Sequence, residues 1–505
     1  MEKVQALDVT QYKTTSKSAV EAALDICQEL AWDPTEVVQA SLLDLLVMRL
    51  SNHPSTEIES LREDSKSLHV VETQHYVRGS SVQDIVKHTI SSLGDINAVD
   101  LISTSKLKAR LESLHAAFPG AHFNHAIAVK ANPIRSVLRI VQEMGFGAEC
   151  ASFAEVHHAL SLNFAPRSVV YDSPCKTYDE LKTALQLGCY INLDNEDEID
   201  KVARVFIDLY GPSGVPADRL LHDRQIGLRI NPVVGGGSIA STSTATSSSK
   251  FGLPWTPDTQ ATLVALFHAH PWLQGVHVHV GSQGCALDLL VAGAKRAVEF
   301  AALVNTHVGR DQVRVVDIGG GLPTVYDGVS DLTYEAYAVQ LRAHVPAVFS
   351  SALSVVTEFG RSVFVKAGIT LTKVESVKRW DGQNIAVVHV GANQFLRTAY
   401  LPHQWPHVFS VFDATGALKS GPLVRQDIAG PLCFSGDFLA KQVLLPQIHA
   451  GDYIVIHDTG GYTVSMYSKY NSRPSTAIYG YDDQLGLTPF KEQETVDQVL
   501  AFWGP

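Results

Sequence analysis

Cysteine is scarce in this chain. Six residues in 505, at Cys27, Cys150, Cys175, Cys189, Cys285 and Cys433, include no CxxC pair. Such sparse, irregular spacing excludes a disulfide framework and predicts a reducing compartment, the cytoplasm. Charged residues are few, 18% against 45% hydrophobic, which excludes a disordered chain and a coiled coil. Positive charge is the scarcer sign: 40 Lys and Arg against 52 Asp and Glu leave −12. No whole-protein field would draw in phosphate backbones or anionic lipid, so neither nucleic acid nor membrane is expected as a partner. Long apolar runs are missing too. The longest stretch without formal charge, residues 260–287, holds four histidines, glutamines and a proline, a poor membrane span. The start, Met1-Glu2-Lys3, lacks a basic region ahead of an apolar block, and no secretory signal is expected.

What is present is length for about two to four domains at roughly 100–200 residues each. Residues 18–49 read as two amphipathic helices broken at Asp33-Pro34, with Val20, Ala23, Leu24, Cys27 and Leu30 at helical spacing in the first. From about residue 107 to 377, short apolar runs alternate with helical patterns. Strands are expected at 124–129, 168–171, 190–193, 225–230, 275–280, 313–318 and 354–358, and helices at 134–144 and 178–187. That alternation predicts a parallel α/β architecture, and about eight strands predict a closed barrel. After residue 373, runs at 386–390, 453–457 and 462–466, with turns at Asp381-Gly382 and Ala450-Gly451-Asp452, predict antiparallel β-structure. A Gly-, Ser- and Thr-rich insert over 235–249 buries too little apolar area to order itself; a mobile loop is expected, either linker or lid. The expected division is a helical N-terminal extension over 1–70, joining strand(s) over 71–105, a (β/α)8 TIM-type barrel over 106–372 and a C-terminal antiparallel β-domain, sandwich- or barrel-like, over 373–505.

Five features stand at predicted strand ends or turns, where the chemistry of such barrels concentrates. Lys130 ends the run Ala126-Ile127-Ala128-Val129; half-burial would lower its pKa and suit it to a Schiff base, the alternative being a surface lysine. His277 and His279 share one strand face, as zinc ligands, packed core or an imidazole laid against a planar ligand. Asp317-Ile318-Gly319-Gly320-Gly321 offers unshielded amides to a phosphate, or merely a turn. Thr357-Glu358-Phe359-Gly360-Arg361 supplies a carboxylate and a guanidinium, for a site or for a surface ion pair. Cys433-Phe434-Ser435-Gly436-Asp437 and Gly460-Gly461-Tyr462-Thr463 fall in the β-domain. Together these residues meet the needs of pyridoxal 5'-phosphate: a lysine for the aldehyde, a carboxylate for the pyridinium nitrogen, an imidazole to stack on the ring, and glycines with a serine for the phosphate.

Carried by these motifs in this order, the chain resembles the pyridoxal-phosphate-dependent diaminopimelate/ornithine decarboxylase family, alanine-racemase-like barrels of fold type III, over about residues 100–481. It is most similar to the diaminopimelate decarboxylase-like members. The resemblance implies pyridoxal-phosphate-dependent α-decarboxylation of an amino acid. The AVKAN motif, Ala128 to Asn132, makes Lys130 the lysine that carries the cofactor. The HxGS motif puts His279 on the ring face and Ser282 on the phosphate, with Gly319, Gly320 and Gly321 as the phosphate loop. The ExGR motif, with Phe359 where proline is usual, makes Glu358 the partner of the ring nitrogen; Gly360 follows, and Arg361 meets phosphate or a substrate carboxylate. Arg229 matches an arginine near the ring. Cys433 and Asp437 of a CxSxD box and Tyr462 of a GAY-like motif are implied to reach the partner subunit's site in an obligate homodimer, with Cys433 as the acid that protonates the carbanion.

The substrate is where the pattern departs. Phe434 replaces the usual glutamate after the box cysteine. Arg397 corresponds to a substrate-binding arginine, yet Leu401 stands where a tyrosine belongs, with Tyr400 one place early. A buried ammonium without its carboxylate is costly, so an altered distal pocket is expected. Arg397 still suits a distal carboxylate; Phe434 and Leu401 suit an apolar or aromatic side chain. Arg361, Arg397, Tyr400, Phe434, Asp437 and Tyr462 are the expected substrate contacts. Glu149 stands where aspartate is usual and bears on the placing of Lys130. Competing readings are a racemase on the same barrel, a zinc hydrolase using His277 and His279, and a regulator without turnover. No metal is expected.

Overall fold

The computed structural model describes residue 75 and residues 78–212, 226–326, 332–380 and 382–505. The helices expected over 18–49, and all of the extension over 1–70, lie outside these residues. Where joining strands were expected over 71–105, helix α1 (Gln83–Leu93) precedes a single strand β1 (Ala98–Ser103). Helix and strand then alternate: α2 (Thr104–Ala117), β2 (Phe123–Ala128), α3 (Arg135–Glu143), β3 (Gly147–Cys150), α4 (Phe153–Ser161), β4 (Val169–Asp172), α5 (Tyr178–Leu187), β5 (Tyr190–Leu193), α6 (Glu196–Tyr210), β6 (Ile226–Asn231), the two-residue β7 (Leu253–Pro254), α7 (Gln260–Ala269), β8 (Gly275–His277), α8 (Leu287–Val308), β9 (Val315–Asp317), α9 (Tyr334–His344) and β10 (Ser354–Thr357). Strand β3 escaped the sequence pattern because its four residues include a buried glutamate, Glu149.

Local chemistry sets these elements. In α5 the Thr177 hydroxyl accepts from the Glu180 amide while the Glu180 carboxylate accepts from the Thr177 amide, and Gly188 at φ +85° ends the helix. Such a cap is worth about 1 kcal/mol. Leu181, Ala184 and Leu185 form its buried face.

The order β5-β4-β3-β2-β10-β9-β8-β6 closes on itself through β5 and β6, every pair parallel. Ala126, Val170, Tyr190, Val315 and Val356 form a small apolar cluster apart from the larger core between strands and helices. Side chains repeat a face every second residue along a strand. Four of the five plug residues are followed two positions on by a polar one, Asp172 after Val170, Asn192 after Tyr190, Asp317 after Val315 and Glu358 after Val356, while Ala126 is followed by Ala128. Register adds Arg229, His277 and Asp317 side by side on β6, β8 and β9. A polar layer thus caps the plug at the C-terminal strand ends.

After the short helix α10 (Arg361–Phe364) come β11 (Gly368–Trp380), β12 (Gln383–Val388), α11 (Leu396–Tyr400), β13 (Phe409–Phe412), β14 (Leu423–Ala429), β15 (Phe438–Pro446), β16 (Tyr453–His457), β17 (Ala477–Tyr481), β18 (Leu487–Lys491) and α12 (Val496–Phe502). The second sheet runs β15-β14-β12-β11-β1-β17-β18, with β16 on β11 and β13 on β16. It is mixed rather than purely antiparallel, because β1 pairs parallel with β17 and β12 with β14. The boundary expected at 372/373 falls inside β11, and β1 belongs to this sheet. Residues 462–466 are not a strand: Tyr462 takes φ +58°, and Val464–Met466 is a 3-10 turn. Among the described residues no helix is long and apolar enough to cross a membrane.

The insert over 235–249 is seated rather than loose. The Thr244 and Ala245 amides both donate to the Val280 carbonyl, at 2.9 and 3.2 Å, and the Ser282 amide donates to Thr242 O at 3.0 Å. Its small side chains let backbone meet backbone, so hydrogen bonds replace the missing apolar burial.

Candidate active site

Lys130 lies in the 3-10 turn Val129–Ala131 just past β2, with its Nζ 2.6 Å from both oxygens of Glu149 on neighbouring β3. Glu149 is fully buried while the Lys130 side chain keeps 38% of its surface open. Burial alone would push the ammonium down, as the sequence suggested; the Glu149 carboxylate, then Glu358, outweighs it and holds Lys130 above its ordinary range. Burial pushes Glu149 up to about 8 against the pull of Lys130.

Across the strand ends, Arg229 Nη1 donates to Asp172 Oδ2 at 3.2 Å. His277 stands between two carboxylates, Nδ1 3.6 Å from Asp172 Oδ1 and Nε2 3.4 Å from Glu358 Oε2. Burial works to lower its pKa, but Asp172, Glu358 and Asp317 together bring it up to about 9. His279 Nδ1 lies 3.5 Å from the same Glu358 oxygen; burial holds this imidazole low and therefore neutral. Asp317 accepts from the Gly319 amide and from Asn192 Nδ2, both at 2.9 Å, and burial followed by the Glu358 charge pushes it well up. Glu358 itself is raised by burial and pulled, more strongly in sum, well below the carboxylate range by His277 and His279. Both its buried oxygens lack a full hydrogen bond. A buried anion with unused acceptor capacity fits a protonated ring nitrogen. Possible ligand atoms of His277, His279 and Glu358 also come within 4.8 Å of one another, but a His277 imidazolium held between Asp172 and Glu358 has no lone pair for a metal.

The other end of the site is cationic. Gly319 (φ +67°) and Gly321 (φ +95°) lie so close to neighbouring strand ends that a Cβ would meet Val278 O at 2.5 Å and Gly281 O at 2.3 Å. Only glycine fits this turn. At Gly320 a Cβ would meet Glu358 O at 2.1 Å, and at Gly360 the Ala128 side chain at 2.9 Å. Arg361 is buried, its Nη1 donating to Tyr326 Oη at 2.6 Å and its Nε and Nη2 to Ser282 Oγ at 3.3 and 3.2 Å. Its guanidinium lies 4.3 Å from the Tyr462 ring centre and 4.8 Å from Trp405; Arg397 lies 4.7 Å from Trp405 and 4.8 Å from Tyr462. Among the described residues neither arginine has a carboxylate partner, and Arg397 Nη1 is buried with no acceptor. Burial and then the Arg361 charge push Arg397 down. Two cations sharing aromatic faces leave room for anions, which suits a phosphate and a carboxylate.

Tyr462 was expected to reach a partner's site. Instead its amide donates to Ala131 O at 2.9 Å, one residue from Lys130 in the same chain. Asp437, expected at the substrate, is buried, with Oδ1 accepting from the Ala392 amide (2.6 Å) and Oδ2 from Leu432 (2.7 Å). It clamps two loops, since the backbones of Gly391 and Gly430 lie against its carboxylate. Cys433 is exposed; its amide donates to Asn471 Oδ1 at 2.7 Å, and its carbonyl accepts from Tyr470 at 3.2 Å. Phe434 stacks on Tyr400 at 5.4 Å and 19°, with Tyr400 59% exposed and Leu401 exposed beside it. Asp172, Tyr326 and Trp405 were not anticipated. The two-residue step from Val170 signals Asp172; nothing local signals Tyr326 or Trp405, which converge from separate loops.

The family described as pyridoxal-dependent decarboxylase, pyridoxal binding domain, matches residues 104–365. The chain is 31% identical to diaminopimelate decarboxylase of Deinococcus radiodurans over 405 residues, which is 79% of this chain and 94% of that one. It is 28% identical to the Helicobacter pylori (strain J99) enzyme of the same name over 400 residues, 79% and 93% respectively. Among solved structures, Helicobacter pylori diaminopimelate decarboxylase complexed with L-lysine shares the fold at TM-score 0.71 and 24% identity, covering 81% of this chain and 98% of that one. The Paramecium bursaria Chlorella virus arginine decarboxylase shares it at TM-score 0.65 and 19% identity, covering 79% and 100%.

Proposed function

The chain belongs to the pyridoxal-dependent decarboxylases and is a pyridoxal-phosphate-dependent amino-acid decarboxylase; from that premise we propose the role of each residue in its site. The family decides against the racemase and the zinc hydrolase as the main activity. The observation that carries the assignment is Glu358, a buried carboxylate flanked by two imidazoles with both oxygens short of a hydrogen bond, just past the end of β10, the neighbour of β2 beyond whose end Lys130 lies.

When bound, pyridoxal phosphate supplies an electron sink for the pair left behind as the α-carboxylate departs as carbon dioxide. Lys130 Nζ offers the amine for the aldehyde. Glu149, 2.6 Å away and raised to about 8, takes the proton that Lys130 must shed. Glu358 holds a proton at the ring nitrogen, and His277, charged between Asp172 and Glu358, keeps Glu358 ionised. His279 covers the ring face and Arg229 fixes Asp172. Ser282, Arg361 and Tyr462 receive the phosphate over the turn of Gly319, Gly320 and Gly321, whose lack of side chains leaves room for it, with Gly360 letting Arg361 approach. Cys433 of the partner subunit delivers the proton to the product carbon in a homodimer with shared sites; its exposed position beside the Phe434–Tyr400 stack supports this. A reducing cytoplasm would keep it a thiol.

The substrate we infer is an amino acid with a distal carboxylate, met by Arg397 through its free Nη1. Phe434 supplies no anion for a distal ammonium. Carbon dioxide release from the cofactor-loaded enzyme, measured on diamino, basic, acidic and aromatic amino acids in both enantiomers, tests this. Acidic amino acids should lead, and a clear preference for meso-diaminopimelate would overturn the Phe434 argument. Phe434→Glu should add diaminopimelate turnover.

A further inference from the structure

Arg78 lies outside residues 104–365, the stretch that matches the pyridoxal binding domain, yet it reaches the cationic end of the site. Its guanidinium grips Asp458 with both arms, Nη1 to Oδ2 at 2.9 Å and Nη2 to Oδ1, and Nη1 also reaches the Tyr326 carbonyl at 3.4 Å. Asp458 is buried and, at φ +62°, in the left-handed region that a non-glycine residue avoids. It also accepts from Lys366 Nζ at 2.9 Å, and that ammonium donates to Val325 O at 2.5 Å. Two backbone paths leave this knot. One runs from Asp458 through Gly460, whose carbonyl accepts from Asn132 Nδ2 at 2.8 Å, to Tyr462. The other ends in the Tyr326 hydroxyl, which accepts from Arg361.

We propose that Arg78 is a positioning residue for the phosphate end of the site, holding Tyr326 and Tyr462 on either side of Arg361 through its bidentate pair with Asp458. A segment ahead of the pyridoxal binding domain thereby sets cofactor affinity. Geometry favours this over simple docking of the segment, which other contacts provide: the Leu418 amide donates to Gln83 Oε1 at 2.8 Å, and Val82, Ile85 and Val86 sit in an apolar cluster with Leu101 and Phe412. The Arg78 bonds are the ones directed at the site.

The inference rests on Arg361 and Ser282 holding the phosphate. The test is the dissociation constant of pyridoxal phosphate, and of pyridoxal, for the apo forms of full-length wild type, Arg78→Ala, Arg78→Lys, Gln83→Ala and Ser282→Ala, with kcat at saturating cofactor and thermal unfolding alongside. Arg78→Ala should weaken pyridoxal phosphate about tenfold, leave pyridoxal within about twofold, and keep kcat within about threefold. Arg78→Lys should recover part of the loss. Gln83→Ala, which loosens the same segment elsewhere, should change neither constant. Equal weakening by Gln83→Ala, or none by Arg78→Ala, would overturn the role of Arg78. If Ser282→Ala shows no loss specific to the phosphate form, the phosphate assignment fails instead.

Discussion

The two ends of the site are built on opposite electrostatic plans. Over the barrel plug, Lys130, Arg229 and His277 are each answered by a carboxylate within 2.6 to 3.6 Å, so that layer is balanced before any ligand arrives. At the cationic end, Arg361 and Arg397 rest on the rings of Trp405 and Tyr462 with no carboxylate among the described residues. A balanced layer fixes protonation states and leaves one weakly bonded anion, Glu358, for the ring. An unbalanced cluster stores attraction for an anion that must come from outside. Chemistry and binding are thus separable by region, and substitutions should split accordingly.

Breaking the balanced end at its nucleophile has the largest expected effect. Lys130→Ala should lower carbon dioxide release by roughly 10⁴-fold and abolish the absorbance of the lysine-bound cofactor, while pyridoxal phosphate still binds through its phosphate. Retained turnover with normal absorbance would refute the role of Lys130. Next, Glu358→Gln should reduce kcat by about 10²- to 10³-fold with little change in KM, because it removes the charge at the ring nitrogen and keeps the shape.

The third prediction concerns pH in the apoenzyme. His277 is raised from 6.5 to about 9 and Glu149 from 4.5 to about 8. Both bind protons more tightly folded than unfolded, so both contribute stability that is complete at low pH and lost as pH rises. Thermal unfolding should show a loss of about 3 kcal/mol associated with His277 between pH 6.5 and 9. His277→Asn should flatten the part of that window above about pH 8, below which Glu149 still titrates. A rise in stability across it would contradict the pairing. Smallest is a break at the unbalanced end: Arg361→Met should raise the dissociation constant of pyridoxal phosphate about 10- to 100-fold while leaving the pH window of His277 in place. A shifted window would mean that the two ends are not separate.

Much of the barrel was legible because its signal is local. Helix 178–187 and strand 190–193 were anticipated with their observed limits, and the strand ends carrying Lys130, His279, Gly319 and Glu358 were located within a few residues. Reading 235–249 as mobile failed because composition reports apolar burial and is silent on backbone bonding. Reading Lys130 as lowered failed because its counter-ion lies nineteen residues away on β3. Asp437 was expected at the substrate because its motif names a residue without saying which amides surround it.

By itself the sequence determined the alternation of strand and helix, the residues with reactive chemistry and their order along the chain, since periodicity and motif depend only on neighbours a few positions apart. Tertiary structure alone decided which carboxylate answers which cation, that Tyr462 packs beside Lys130 of its own chain, and that Tyr326 and Trp405 meet at Arg361 with Arg78 behind them on Asp458. Those are contacts between segments tens to hundreds of residues apart. They exist only once barrel closure and sheet register have brought the segments together, and no local pattern encodes the distance between them.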